Sequence, residues 1–324
     1  MKRPARTAAR TTARTTPRTG VRNLGFLRLG TEQANSASAD LDRKSALEIA
    51  QIINREDARV ARAVKPALRQ IAQAIDLIAE GLAQGGRLIY VGTGTSGRIA
   101  ALDAVECPPT FNLDPRRVQF IVAGGVRALA AAVEADEDSS ELGRKGMAKK
   151  APSSKDVVVG VAASGRTPFT LAAIEYARSR GALTVAVVCN PKSPLGKAAH
   201  LAIVADVGAE VVAGSTRMKA GTAQKMILNM LSTGAMARLG YVYGNLMVNV
   251  RPKNDKLVER GVSILEKTAG INRRAARRLL AAAAGRVPVA LVMAKANVTR
   301  VQAEAALRES GDQVRKAITV ARMM

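Results

Sequence analysis

Five short runs of mostly β-branched apolar residues alternate with longer helical stretches, and this alternation limits the possible folds more than any other feature of the sequence. The runs do not alternate polar with apolar positions, which is typical of strands buried on both faces. A strand–helix–strand order of this kind predicts a parallel sheet with crossover helices. The predicted strands are Arg87–Val91, Val118–Val122, Asp156–Ala162, Leu183–Val188 and Leu201–Val204.

Helical periodicity predicts the remaining elements. Apolar residues recur at helical spacing from about residue 45 to residue 84, where Gly85-Gly86 ends the run. Beyond about Val262 the sequence becomes rich in Ala and Arg, which predicts a small helical C-terminal unit. Between and after the strands, helices are expected near 97–106, 127–137, 168–180 and 217–239. The predicted domains are a disordered tail (1–24), an α/β domain with N-terminal helices (25–262) and a small helical domain (263–324).

The N-terminal tail carries much of the uneven charge. Residues 1–30 contain eight basic residues and no acidic one, within a chain of net charge +24. The Arg/Thr/Ala-rich stretch RTAARTTARTTPRTG has too few large apolar groups to pack, so we interpret it as a disordered extension, although an organellar transit peptide has a similar composition. The rest of the chain is basic but well mixed, which suits anionic small substrates.

Composition excludes several classes of protein. With Cys107 and Cys189 as the two cysteines and His200 as the single histidine, neither a disulfide scaffold nor a zinc site is expected, and a reducing cytoplasm fits. Aromatic residues make up 2%, too few for base-stacking surfaces, so nucleic acid is not the expected partner. No apolar stretch is long enough to predict a membrane helix.

Three segments rich in Gly, Ser and Thr are candidate ligand loops. YVGTGTSG (90–97) and AASGRTP (162–168) each follow a predicted strand and open a helix, where hydroxyls and helix N–H groups can bind anions or sugars. Such loops at neighbouring strand ends converge on one crevice. In GAEVVAGSTRMKAGT (208–222), the structural alternative is helix capping by Ser215 or Thr216. The predicted substrate-binding residues are Thr93, Thr95, Ser96, Ser164, Gly165, Thr167, Glu210, Ser215, Thr216 and Lys219.

Two acidic segments could supply proton transfer. Glu106 precedes Pro108-Pro109, and because residues before proline avoid the helical region, the helix is predicted to end there. A carboxylate at a helix C-terminus is disfavoured by about 0.3–1 kcal/mol, which favours the protonated form of a general acid. In VEADEDSSE, crowding can raise the pKa of one carboxyl, although the pattern by itself favours a solvated acidic helix face. The sequence does not distinguish Glu134, Asp136, Glu137, Asp138 and Glu141.

These motifs have a specific resemblance. GTGTSGRIAALDAVECPPTF, VVVGVAASGRTPFTLAAIEYA and GAEVVAGSTRMKAGTAQKMILNMLSTG resemble the sugar isomerase (SIS) domain of the N-acetylmuramic acid 6-phosphate etherase family. The resemblance begins at about Thr31 and continues, more loosely, into the C-terminal helices. It implies a three-layer α/β/α fold with a five-stranded parallel sheet, N-terminal helices and a small C-terminal helical domain.

The resemblance also implies a reaction. Family members cleave the lactyl ether of N-acetylmuramic acid 6-phosphate by elimination and water addition, without metal or organic cofactor, during cell-wall sugar recycling in the cytoplasm. Glu106 matches the proton donor and Glu137 the second acid/base of the family, and a homodimer with the active site at its interface is implied. A sugar-phosphate isomerase, or a sensor similar to the glucokinase regulatory protein, remains as an alternative on the same fold.

Overall fold

The structure is a computed structural model that describes residues 28–131, 133, 136–249 and 255–324. The predicted tail, residues 1–24, and Glu134 lie outside the described residues. The helices are α1 (Ala46–Asp57), α2 (Val60–Val64), α3 (Leu68–Ala83), α4 (Gly94–Phe111), α5 (Ser140–Lys150), α6 (Pro168–Ser179), α7 (Pro194–Ala198), α8 (Lys219–Arg238), α9 (Asp255–Ala269), α10 (Arg273–Ala282), α11 (Val287–Ala296), α12 (Arg300–Glu309) and α13 (Val314–Ala321). The strands are β1 (Leu88–Gly92), β2 (Val118–Val122), β3 (Val157–Val161), β4 (Leu183–Val188), β5 (Leu201–Val204), β6 (Val242–Tyr243) and β7 (Leu246–Met247).

Strands β1 to β5 form one parallel sheet in the order β2-β1-β3-β4-β5. Three of the five predicted strands have the predicted bounds, and the other two differ by one residue at each end. Gly92 pairs with both Val122 and Val161. The carboxyl ends of the three neighbouring strands are therefore level, and the segments that follow them start at the same edge of the sheet.

Successive side chains of β1 enter hydrophobic cores on opposite faces of the sheet. Leu88 and Tyr90 pack with residues of α3, α4 and α8, whereas Ile89 and Val91 pack with residues of α5 and α6. Every residue of β1 and β3 is buried, as expected for parallel strands covered on both faces. The predicted three-layer α/β/α fold with a five-stranded parallel sheet is confirmed.

The predicted helix over residues 127–137 is wrong. The chain forms a short 3₁₀ helix at Gly125–Leu129 instead, and the α-helix of this crossover, α5, begins at Ser140. Gly124 and Gly125 have φ of +80° and +65°, so the chain turns sharply after β2. The hydroxyl of Ser139 accepts a hydrogen bond from the N–H of Leu142 and sets the later helix start.

The predicted end of α4 before Pro108-Pro109 is also wrong, because both prolines lie inside this helix. The local preference against helix before proline is outweighed by tertiary contacts of the last turns. Cys107 and Phe111 are buried in the core on the α8 side of the sheet, and the side-chain amide of Asn249 donates to the Phe111 carbonyl oxygen at 2.8 Å. Glu106 therefore lies within the helix, and the proposed effect of a helix C-terminus does not apply to it.

Helices α9 to α13 enclose a separate hydrophobic core. Its buried members extend from Val248 to Ala321 and include Leu291 and Leu307. The domain limits given above, 25–262 and 263–324, stay predictions. Among the described residues, no single helix is long and apolar enough to cross a membrane, although α10 and α11 pass the same test together as a pair bent by 113°.

Candidate active site

Two glycine-rich loops lie side by side at the carboxyl edge of the sheet. Loop 1 (residues 93–97) consists of Thr93, which follows β1, and the first turn of α4; loop 2 (residues 162–167) connects β3 to α6. β1 and β3 are neighbours in the sheet. A Cβ at Gly92 would lie 2.9 Å from the carbonyl oxygen of Val161, so the two chain segments can approach this closely only with glycine at position 92.

Glu137 lies against loop 1. The hydroxyl of Thr93 donates to Oε2 of Glu137 at 3.1 Å, and Oε1 is 3.1 Å from the position that a Cβ would occupy at Gly94. The backbone N–H of Phe169, in the first turn of α6, donates to the carbonyl oxygen of Glu137 at 3.1 Å. The carboxylate is thus at the N-terminal end of α4, where the helix dipole favours negative charge.

Glu106 is on α4, the helix that begins in loop 1, but it lies far from that loop. Its side chain is exposed, and its position is twelve residues after Gly94, the first residue of α4. At about 1.5 Å per residue, that separation is about 18 Å along the helix axis. Leu102 and Val105, which are 45% and 52% exposed, are close to Glu106 in sequence on α4. Within one chain, the structure therefore does not bring the two predicted catalytic glutamates together.

Loop 2 has a left-handed glycine and a hydroxyl with an available proton. Gly165 has φ +62°, and a Cβ there would lie 2.4 Å from the hydroxyl oxygen of Ser193. The hydroxyl of Ser164 accepts a hydrogen bond from the N–H of Arg166 at 3.2 Å, so its own proton can be donated to a ligand. Thr167 is the N-cap residue of α6, and Pro168 is its first residue, as predicted.

The third candidate segment, residues 208–222, covers most of the loop between β5 and α8 (loop 3, residues 205–218) and the first residues of α8. The structural alternative, capping by Ser215 or Thr216, is wrong, because the N-cap residue is Met218 and its side chain makes no capping bond. Glu210 takes that role: its buried carboxylate accepts from the N–H groups of Lys219 and Ala220, each at 2.9 Å. Burial raises the pKa of Glu210, and these two hydrogen bonds oppose the increase. Ser215 and Thr216 are half-buried.

Lys219 forms a buried ion pair inside the fold. Its ammonium lies 2.6 Å from Oε2 of Glu56, and both side chains are less than 5% exposed. Asn35 donates to the same oxygen at 3.0 Å, and Arg59 pairs with the other carboxylate oxygen at 2.8 Å. Burial alone would raise the pKa of Glu56, but the hydrogen bonds from Lys219 and Asn35 and the charges of Lys219 and Arg59 lower it below its ordinary value.

Neither the cysteines nor the histidine forms a reactive cluster. Burial raises the pKa of each thiol, Cys107 and Cys189, to about 12, which disfavours the thiolate. His200 is at the edge of the sheet, where its Nδ1 accepts from the N–H of Thr184 at 3.1 Å. Within the described part of the chain, no three His, Cys, Asp or Glu side chains are placed to hold a metal ion.

Comparison with known proteins places this chain in a family. An SIS domain model matches residues 140–234, and a model of the glucokinase regulatory protein N-terminal SIS domain matches residues 70–178. The chain is 48% identical over 286 residues to N-acetylmuramic acid 6-phosphate etherase 1 of Enterococcus faecalis, which covers 88% of this chain and 95% of the relative. The chain belongs to the N-acetylmuramic acid 6-phosphate etherase family.

Other relatives agree with this assignment. The N-acetylmuramic acid 6-phosphate etherase of Photorhabdus laumondii is 49% identical over 292 residues, which are 90% of this chain and 97% of the relative. The resemblance inferred from the sequence motifs is therefore confirmed.

Among solved structures, a phosphoheptose isomerase from Francisella tularensis matches 61% of this chain and 98% of its own, at 19% identity and a TM-score of 0.42.

Two buried amides at the carboxyl edge of the sheet were not predicted from the sequence. Gln224, on α8, accepts a hydrogen bond from the hydroxyl of Ser96 at 2.9 Å. Asn190 follows β4, and its Nδ2 donates to the hydroxyl of Thr31 at 3.1 Å and to the Ala163 carbonyl oxygen at 3.0 Å. Their partners are distant in sequence, so a local pattern could not have identified them.

The segment before α1 also contacts loop 3. The N–H of Gly214 donates to the carbonyl oxygen of Thr31 at 3.0 Å. The hydroxyl of Ser38 donates to the Val211 carbonyl oxygen at 2.7 Å, and the Asn35 amide donates to the Ala209 carbonyl oxygen at 3.1 Å. Residues 31–38 therefore hold the loop that precedes α8, and Asn190 links the same segment to loop 2.

Proposed function

We propose that this protein is an N-acetylmuramic acid 6-phosphate etherase, which cleaves the D-lactyl ether to give N-acetylglucosamine 6-phosphate and D-lactate in the recycling of cell-wall amino sugars. The observation that supports this most directly is 48% identity over 95% of the length of a named etherase. We further propose a cytoplasmic location, with which two buried free cysteines are consistent.

The proposed chemistry is an elimination followed by an addition. Ring opening gives an aldehyde at carbon 1, which makes the hydrogen on carbon 2 acidic. A base removes that proton, the bond between carbon 3 and the ether oxygen breaks, and an acid protonates the departing lactate. Water then adds at carbon 3. This sequence requires one base, one acid and an anchor for the phosphate.

We assign Glu137 and Glu106 to the proton transfers. Glu137 has the support of its position at loop 1, where Thr93 donates to its carboxylate. Glu106 is exposed on α4, about 18 Å along the helix axis from Gly94, and we propose that its side chain reaches the loops of a second copy in a homodimer. Exposed Leu102 and Val105 on the same helix provide apolar surface for such a contact.

A subunit-mixing experiment tests the shared site. E106Q and E137Q are each expected to lower lactate release by at least about 100-fold. If one site uses Glu106 of one copy and Glu137 of the other, each mixed dimer contains one intact site. Mixing the two variants under conditions of subunit exchange should then restore about a quarter of wild-type activity for random pairing. A mixture as inactive as the separate variants would contradict the shared site.

Phosphate binding is proposed for loop 2, with Ser164, Gly165 and Thr167. The Ser164 proton is available for donation because its oxygen accepts from Arg166 N–H, and Arg166 adds a positive charge to this loop. Thr95, Ser215 and Thr216 are half-buried and stay proposed substrate contacts. Glu210 and Lys219 are instead engaged within the protein, so we propose that they support the site without touching the substrate.

The test of the proposed function is incubation of the purified protein with N-acetylmuramic acid 6-phosphate, followed by an assay for free lactate and for N-acetylglucosamine 6-phosphate. An etherase releases both in equal amounts. A sugar-phosphate isomerase would convert other sugar phosphates without releasing lactate, and a sensor would bind the sugar phosphate unchanged. Either of those outcomes with folded protein would reject the proposal.

A further inference from the structure

The side chain of Gln224 is fully buried at the contact between α8 and loop 1. Its Oε1 accepts a hydrogen bond from the hydroxyl of Ser96 at 2.9 Å, whereas its Nε2 has no partner among the described residues. Its neighbours on α8, Ala223 and Ile227, belong to the apolar core. Burying an amide in such surroundings is unfavourable unless hydrogen bonds compensate. An apolar residue would pack there at lower cost, so the amide indicates a function beyond packing.

The packing of α8 brings Gln224 to this position. A Cβ at Gly221, one turn before Gln224, would lie 3.5 Å from side-chain atoms of both Thr95 and Ile99. These are ordinary van der Waals separations, so α8 packs directly against the start of α4 at this point. Gln224 then lies under loop 1 and holds the Ser96 side chain from within the protein.

The position of the Ser96 proton determines what the hydroxyl can do for a ligand. A serine hydroxyl has one proton and can accept through its lone pairs. Because the proton points to Gln224, Ser96 has only acceptor capacity left for a substrate. Thr93 in the same loop likewise donates its proton to Glu137. The carboxylate of Glu137 already occupies this end of α4, so a phosphate is disfavoured here by like charge.

We propose that Gln224 is a positioning residue that fixes Ser96 as a hydrogen-bond acceptor for a donor group of the sugar, either a hydroxyl or the amide N–H. This inference rests on the proposed function, since it concerns how the same site holds the amino-sugar part of its substrate. Ser96 then contributes to orientation of the sugar ring, while the phosphate is held elsewhere in the site.

A double-mutant cycle tests whether Gln224 acts through Ser96. The variants are S96A, Q224M and the double variant, and the measurement is the Kd of N-acetylglucosamine 6-phosphate by titration calorimetry. Loss of one hydrogen bond predicts a Kd about 5- to 10-fold higher for S96A and for Q224M. Because both changes remove the same interaction, the double variant should be no weaker than S96A. Independent effects, which would multiply to about 25- to 100-fold, or an unchanged Kd for Q224M would overturn the proposal.

Two further variants separate positioning from a structural role. Q224E keeps an oxygen acceptor for the Ser96 proton, so it should bind more tightly than Q224M; equal weakening would overturn the proposal. S232A, the matched control, removes a buried hydroxyl of α8 that donates to Asp103 at 3.0 Å, and should lower the melting temperature while leaving Kd unchanged. Binding of inorganic phosphate should be the same in wild type and Q224M, and a parallel loss would show that Ser96 binds phosphate instead.

Lactate release by the wild type distinguishes failure of this inference from failure of the proposed function. A wild type that releases lactate, combined with independent effects in the cycle, rejects only the role of Gln224. A wild type that binds N-acetylglucosamine 6-phosphate but releases no lactate rejects the etherase proposal, while the cycle still reports whether Gln224 and Ser96 act together.

Discussion

Replacing Lys219 by Met leaves the carboxylate of Glu56 buried without its closest cation. The ammonium lies 2.6 Å from Oε2 of Glu56, and both side chains are under 5% exposed. Breaking a buried pair of this kind costs about 3–5 kcal/mol, because one charge remains without compensation. Arg59 and Asn35 still contact Glu56 in the variant. We therefore expect K219M to lose about 3 kcal/mol of unfolding free energy, the lower end of that range.

The assay is urea denaturation of K219M, E56Q and the double variant E56Q/K219M. Removing both charges of a buried pair is often nearly neutral, so the double variant should recover to within about 1 kcal/mol of wild type. K145M is the matched control: it breaks the exposed Lys145–Glu141 pair on α5, at side-chain exposures of 64% and 73%, and should cost less than about 1 kcal/mol.

The same variants decide whether Lys219 binds substrate, as the sequence suggested. If the ammonium serves Glu56 alone, E56Q/K219M should bind N-acetylglucosamine 6-phosphate within about threefold of wild type, well under the effect of a lost charged hydrogen bond. A K219M no less stable than K145M would refute the ion-pair argument. A stable double variant that no longer binds the sugar phosphate would show instead that Lys219 contacts the ligand.

Two further predictions concern the backbone of loop 2 and the single histidine. In denaturant titrations, G165A should lose about 1–3 kcal/mol more unfolding free energy than G270A. Both glycines have φ above +60°, but only a Cβ at Gly165 would meet other atoms, the nearest at 2.4 Å. Equal losses for the two variants would contradict the close contact. Burial and the charge of Arg178 lower the pKa of His200 in the folded protein below its ordinary value of about 6.5. His200 therefore contributes stability above about pH 6.5 that is lost as the pH falls through its lower folded-state pKa. The H200Q variant should not show this loss. A wild-type melting temperature with the same pH profile as H200Q would contradict the second prediction.

The local sequence was sufficient to predict the sheet, because buried parallel strands are short runs of apolar, β-branched residues such as Val157–Val161. It also located loops 1 and 2, since each lies between such a strand and a helix. It failed where distant contacts decide the structure. Local proline chemistry predicted an early end to α4, but burial of Cys107 and Phe111 extends the helix through both prolines.

For the candidate site too, the local sequence predicted some features, whereas contacts between distant residues could not be predicted. The hydroxyl and glycine pattern indicated which loops matter, but not the hydrogen bonds that each hydroxyl makes. Lys219 looked like an anion ligand because its partner, Glu56, is 163 residues away in the chain. The residue pattern alone could not choose Glu137 among the neighbouring carboxylates; the family resemblance did so, and only the structure shows its contact with Thr93. Gln224 has no local signal because its partner, Ser96, is 128 residues away in the chain.

The most direct test of the proposed elimination mechanism is the reaction of the purified protein with N-acetylmuramic acid 6-phosphate in water labelled with ¹⁸O, read by mass spectrometry of the released lactate. Elimination breaks the bond between carbon 3 and the ether oxygen, so lactate keeps its original oxygen and should be unlabelled, while the hydroxyl at carbon 3 of the sugar comes from water. E137Q should release lactate at least about 100-fold more slowly. Labelled lactate, or no lactate from folded wild-type protein, would contradict the account.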